Sequence, residues 1–176
     1  MSSAPVYTIY CDGSCLGNPG PSAWGAVIRA PQAEATEHSG FIGHGTNQVA
    51  ELTAAIEALK RTPVGVEVHL FSDSEYLVKG LKDWLDGWVR KNWITSTGRP
   101  VANVALWRQL LELRRSRKVH PKWVKGHNGD PLNERADALA RGALGLEDGH
   151  APRPARAVPG HQARAVEASM SAAQPT

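Results

Sequence analysis

The chain has 176 residues, 41% of them hydrophobic and 21% charged, and a net charge of +3. Those figures suit one globular domain with a substantial core and exclude a collagen-like or wholly disordered chain. No apolar run approaches the roughly 18 residues of a membrane span, and Met1-Ser2-Ser3-Ala4-Pro5 lacks the basic and apolar regions of a secretory leader. Cys11 and Cys15, the only cysteines, are too few for a disulfide framework. The expectation is a cytoplasmic protein of a reducing compartment, with Cys11 buried as a small hydrophobe.

Charge is unevenly placed. Lys79 to Lys118 holds ten of the twenty basic residues against Asp83, Asp86 and Glu112, a local net charge of +7. Such concentration is what a polyanion-binding face requires, although a solvated basic surface gives the same count.

In chain order, Tyr7–Cys11 is β-branched, aromatic or apolar and predicts a strand buried on both faces. It runs into Asp12-Gly13 and a Gly/Asn/Pro turn. Ala23–Arg29 and Glu34–Ile42 predict two further strands, joined to the first as antiparallel hairpins. Gln48–Arg61 places Leu52, Ala55, Ile56 and Leu59 at helical spacing, capped by Thr46 or Asn47. Val64–Phe71 alternates as a strand and again ends in an acid, Asp73, before a helix from about Ser74 to Leu85. Trp84, Trp88 and Trp93 then alternate with Lys82, Arg90 and Lys91. Asn103–Arg115 predicts a helix, with Trp107 on its apolar side, and Val119–Val124 a last strand. Lys125-Gly126-His127-Asn128-Gly129 is a loop. Asp130-Pro131 caps a helix to about Arg141. Antiparallel strands followed by helix, strand and helix imply a mixed sheet covered by helices. Residues 146–176 are Ala, Pro, Arg, Gly and Gln with almost nothing large and apolar, and predict a disordered tail behind a domain of residues 1–145.

Four acids stand at the borders of these elements: Asp12 and Asp73 after strands, Glu51 and Asp137 on helices. Each alone has an ordinary role as a turn residue, a cap or a rim charge. Together they would repel one another unless a cation lies between them. An all-oxygen donor set selects hard ions such as Mg²⁺ or Mn²⁺. His127, flanked by Gly126 and Gly129, suits a group that moves protons or helps product leave.

Tyr10-Cys11-Asp12-Gly13-Ser14 with Gly17-Asn18-Pro19-Gly20 resembles the opening motif of bacterial type 1 ribonuclease H. Thr46-Asn47-Gln48-Val49-Ala50-Glu51 and Ser72-Asp73-Ser74 match its next two acidic motifs. Trp123-Val124-Lys125-Gly126-His127-x-Gly129 and Asn133-Glu134-x-Ala136-Asp137 complete the set, over about residues 5–143. The resemblance implies an α/β, ribonuclease H-like fold: a five-stranded mixed sheet, three strands antiparallel and two parallel, flanked by helices. It also implies a monomeric, sequence-nonspecific endonuclease cutting the RNA strand of RNA–DNA hybrids to 5′-phosphate and 3′-hydroxyl ends. Asp12, Glu51, Asp73 and Asp137 would hold two Mg²⁺ ions, Mn²⁺ substituting, and His127 would assist turnover.

Asn18, Thr46, Asn47 and Gln48 would meet the hybrid's groove and backbone. Trp84, Trp88, Arg90 and Lys91 would form the basic protrusion that grips the DNA strand. Trp24, Trp107 and Trp123 are expected in the core. Three positions depart from the family pattern: Gly87 where Asn is usual, Glu75 where Gln is common, and Val89 within the basic run. They predict weaker hybrid affinity with the chemistry intact. Two rival readings share the acids: a transposase- or resolvase-like nuclease, and a catalytically silent hybrid-binding module.

Overall fold

The computed structural model describes residues 5–126 and 129–145. His127, Asn128 and the segment 146–176 lie outside the described residues, and with them the expectations for the loop histidine and the tail. Strands β1 (Val6–Cys15), β2 (Gly20–Arg29), β3 (Ala35–Gly45), β4 (Glu67–Ser72) and β5 (Lys118–Trp123) form one sheet in the order β3-β2-β1-β4-β5. β1–β2 and β2–β3 are antiparallel; β1–β4 and β4–β5 are parallel. The expected mixed sheet is therefore present, with β1 at its centre.

The helices are α1 (Asn47–Lys60), α2 (Glu75–Lys79), α3 (Leu85–Arg90), α4 (Val104–Arg115) and α5 (Pro131–Ala143). None of them is long and apolar enough to cross a membrane. The apolar stripe of α1, with Leu52, Ala55, Ile56 and Leu59, joins Ile9, Cys11, Trp24, Ala26, Ile28, Val68 and Leu70 in the core. Side chains alternate across a strand, so these strand positions define one face of the sheet. α5 packs on β2, β1 and β3, on the opposite face. Beyond it, Glu67, His69 and Phe71 of β4 and His120 of β5 remain half-exposed.

Several local expectations change. β1 is not buried on both faces: Ile9 and Cys11 are buried whereas Thr8 and Tyr10 are half-buried, because α5 covers that side incompletely. β1 also continues through Asp12 and Gly13 to Cys15, its length held by pairing with β2. β4 starts at Glu67 rather than Val64. Val64 is 73% exposed, and the adjacent Gly65 takes φ +90°, so the chain turns there before pairing.

The helix expected from Ser74 to Leu85 is interrupted by a π-helical turn, Gly80–Trp84. A β-carbon on Gly80 would lie 2.0 Å from the buried Trp107 ring, so the turn lets its backbone pass against the indole. Thr46 rather than Asn47 caps α1, its Oγ1 accepting from Val49 N at 3.1 Å. Asp130 caps α5 by accepting from the Leu132 and Asn133 amides.

Candidate active site

The site is built around Asp12, which lies inside β1 opposite Gly25 of β2. A β-carbon on Gly25 would come within 2.5 Å of Ala136 O and 2.6 Å of Ala140 N. Only a bare backbone lets α5 sit this close, and Asp137, next to Ala136, is thereby brought to hydrogen-bonding range of Asp12. Gly13 does the same on the other face. Its β-carbon would meet Ala50 C at 2.4 Å and Glu51 N at 2.5 Å, so α1 rests on β1 at the turn that carries Glu51. Asp73 follows β4 directly, two residues past the Tyr10–Phe71 register pair, as Asp12 is on β1.

Asp73 is not the cap of its helix. Ser74 is: its Oγ accepts from Leu77 N at 3.1 Å and donates to Glu51 Oε2 at 2.5 Å. One hydroxyl thus starts α2 and orients an acid of α1, leaving the Asp73 carboxylate to the site. Gly126 passes so close to Asp73 that a β-carbon would stand 2.9 Å from Oδ2.

The electrostatics follow from this crowding. Asp12 is only 7% exposed. Burial, then the charge of Asp73, then the hydrogen bond and charge of Asp137 push its pKa up to about 9, against the pull of Gly13 N–H on Oδ1 at 2.9 Å. Glu51 is raised as well, first by burial and further by Asp73, with the Ser74 hydrogen bond opposing. Cys11, fully buried behind these acids, is pushed well above the ordinary thiol value by burial and by the charges of Asp12, Asp73 and Glu51. Arg141 Nη1 reaches Asp137 Oδ2 only at 4.0 Å, so the protein's own charge does little to relieve the group. A set of oxygen donors short of positive charge is chemically matched to hard divalent cations.

Residues 4–144 match the RNase H family model. The chain belongs to the ribonuclease H family. The ribonuclease H of Geotalea uraniireducens is 48% identical over 144 residues, 82% of this chain and 97% of its own. That of Chelativorans sp. is 49% identical over 136 residues, 77% of this chain and 83% of its own. Among solved structures, LC11-RNase H1 in complex with an RNA/DNA hybrid aligns with a TM-score of 0.62 and 26% identity, covering 78% of this chain and 96% of that one. RNase H1 of Halobacterium salinarum aligns at 0.59 and 31% identity, covering 79% and 97%.

Around the acids of this ribonuclease H, Asn18, Asn47 and Gln48 are exposed at the start of α1, where Asn18 Oδ1 accepts from Asn47 N at 3.1 Å. Thr46, half-buried, spends its hydroxyl on the helix cap. On the other side, Trp84 is 38% exposed and its ring centroid is 5.8 Å from that of half-buried Trp88, which also contacts Trp93 and Trp107. Tyr76 anchors this group, its hydroxyl accepting from Trp107 Nε1 at 2.9 Å.

The basic segment divides. Lys79 pairs with Glu75, Arg114 with Asp86, Arg115 with Glu112; Arg117 holds Thr62, and Arg108 stacks on Trp93. Lys82, Arg90, Lys91, Arg99 and Lys118 are exposed and make no ion pair among the described residues. Glu75, the expected acidic misfit, is thus turned to Lys79 at 3.6 Å.

Trp123 corrects an expectation. It is 49% exposed rather than in the core, because it ends β5 at the sheet's edge, and its Nε1 donates to Asp73 O at 3.2 Å. Sequence reasoning missed this indole, Gly25 and Ser74 as builders of the site. The sequence places Ser74 beside Asp73, but only the helix start shows that it caps.

Proposed function

We propose that this chain is a monomeric, cytoplasmic endoribonuclease that hydrolyses the RNA strand of RNA–DNA hybrids without sequence preference, leaving 5′-phosphate and 3′-hydroxyl ends. The observation that carries the proposal is the convergence of four carboxylates, from two strands and two helices, around a buried, electrostatically loaded Asp12. Family membership and the hybrid-bound LC11 relative support the substrate class.

Asp12, Glu51, Asp73 and Asp137 are the residues that would hold two Mg²⁺ ions, with Mn²⁺ able to substitute. Their all-oxygen donor set and mutual repulsion fit such ions. When bound, the ions lower the pKa of an attacking water and stabilise the leaving 3′-oxygen. The protein's part is positional. Gly13 and Gly25 set the two helix-borne acids, Ser74 fixes the Glu51 rotamer, and Trp123 fixes the backbone of Asp73. His127 is assigned the assisting role in turnover.

Asn18, Asn47 and Gln48, exposed around the start of α1, would hydrogen-bond groove atoms on both strands, reading sugar and shape rather than base sequence. Trp84 and Trp88 would pack on DNA sugars while Arg90 and Lys91 neutralise phosphates. The test is cleavage of an end-labelled hybrid beside duplex DNA and duplex RNA. Cutting confined to the RNA of the hybrid, dependent on Mg²⁺ and abolished by EDTA, is expected. Cutting that survives EDTA, or that is equal on duplex DNA, would refute the assignment.

Gly87 offers a separate check. A β-carbon there has only the flexible end of Arg90 nearby, at 3.7 Å. Gly87→Asn therefore fits without strain and removes a helix-interior glycine, which costs about 0.5–1 kcal/mol relative to Ala. The variant is expected to lower KM for the hybrid severalfold at unchanged kcat, and steady-state kinetics at fixed salt measures both.

A further inference from the structure

On the face of the sheet left bare by α5, Glu67 and His69 stand two residues apart on β4, and His69 is the register partner of His120 on β5. All three side chains point the same way, since i and i+2 share a face and register partners lie side by side. Their ligand atoms all fall within 4.8 Å of one another. Among the described residues this is the only group of three or more His, Cys, Asp or Glu so gathered; the catalytic acids are more widely spread. We propose that Glu67, His69 and His120 form a second metal site, selective for a borderline transition ion of the Zn²⁺ class and distinct from the acidic centre.

The geometry is close to what such an ion needs. Bonds of about 2.0–2.2 Å in a tetrahedral shell place ligand atoms roughly 3.4 Å apart. Here His120 Nε2 is 2.8 Å and His69 Nε2 3.9 Å from the same oxygen, Glu67 Oε1. Small rotations of three side chains on a paired backbone would equalise them. With the Nε2 proton of His120 moved to Nδ1 by a change of tautomer, His120 Nε2 and Glu67 Oε1 would each offer a lone pair to the ion. Two imidazoles and one carboxylate favour Zn²⁺, Ni²⁺ or Cu²⁺ over Mg²⁺, which prefers oxygen. The side chains are 27–42% exposed, so a fourth position is open to water. Asp73 lies four positions beyond His69, about 13 Å along a strand, too far for the three residues to serve the acidic centre directly. What the ion would do is tie β4 to β5, the two strands whose ends carry Asp73 and Trp123.

Competition for Zn²⁺ against a chromophoric chelator, on the full chain in millimolar Mg²⁺ to occupy the acids, tests the site. One equivalent of Zn²⁺ is expected to be taken up. His69→Ala and His120→Ala should each weaken it more than about a hundredfold, beyond the roughly 10–100-fold that loss of an outer-shell partner typically costs. The control His44→Ala should change nothing. Co²⁺ in place of Zn²⁺ should give the visible absorption of a four-coordinate ion, lost in the same two variants. Mg²⁺-dependent cleavage should be the same in all four proteins, which establishes that each is folded. Zn²⁺ uptake unaltered by either histidine variant, or absent from the parent protein, would overturn the proposal.

Discussion

Asp12→Asn should abolish activity and stabilise the protein at the same time. In EDTA at pH 8 its Tm is expected to rise by roughly 3–10 °C, from about 1–3 kcal/mol of relieved repulsion and desolvation. Hybrid cleavage in Mg²⁺ should fall about a thousandfold or more, as for other residues that act within one catalytic unit. The sign follows from linkage. The Asp12 pKa is about 9 in the fold and about 3.9 in an unfolded chain, so between those values the native state binds the extra proton. Stability from this group is therefore greatest at the acid end and declines as pH rises toward 9. The Tm advantage of the Asn variant should accordingly be small at pH 5 and grow by pH 8. Mg²⁺ should raise the parent's Tm more at pH 8 than at pH 5, and the variant's less at either pH. Thermal melts at the two pH values, with and without Mg²⁺, measure all of this. A variant less stable than its parent at pH 8 in EDTA would mean that the acids are not in conflict.

Gly13→Ala is the second large effect. The added methyl would meet Ala50 C at 2.4 Å and Glu51 N at 2.5 Å, both backbone atoms of α1 that no rotamer change can move. The helix itself must shift. Overpacking typically costs about 1–3 kcal/mol and more against backbone, a loss of roughly 5–10 °C in Tm. Displacing Glu51 by an ångström is worth on the order of a hundredfold in rate. Melting and cleavage by the Ala variant should therefore fall together, which separates it from Asp12→Asn. The sequence suggests Gly13 as a turn glycine; its position in mid-strand under α1 assigns it to helix packing instead.

The acids were legible because each closes or borders a strongly patterned element, and because local capping rules place Thr46 and Asp130 at the starts of α1 and α5; at α2 the same rules offered Asp73, not Ser74, as the cap. What was not legible depends on contacts remote in sequence. Gly25 reads as an ordinary strand glycine until α5 lies on it. The π-turn at Gly80–Trp84 answers to Trp107, more than twenty residues onward. Trp123 sits in an apolar-looking strand, yet β5 is an edge and the indole has no layer above it. Into and along β4, alternation of Val66, Val68 and Leu70 signals the core face, while the equally regular Glu67, His69 and Phe71 between them pass unnoticed until β5 supplies His120.

The divided employment of the basic segment changes how its charge should be counted. Half of those cations are committed to Glu75, Asp86, Glu112, Thr62 and Trp93 before any nucleic acid arrives. Of these, Arg108 on Trp93 and Arg114 on Leu81 O brace the segment that carries Trp84 and Trp88, whereas Arg117 ties the approach to β5 to the end of α1. A polyanion would be left chiefly Lys82, Arg90, Lys91, Arg99 and Lys118. Counterion release scales with the phosphates neutralised, not with the positive charge in a sequence. This enzyme's hold on its substrate should therefore weaken with ionic strength as a contact of about five charges does, not as one of ten.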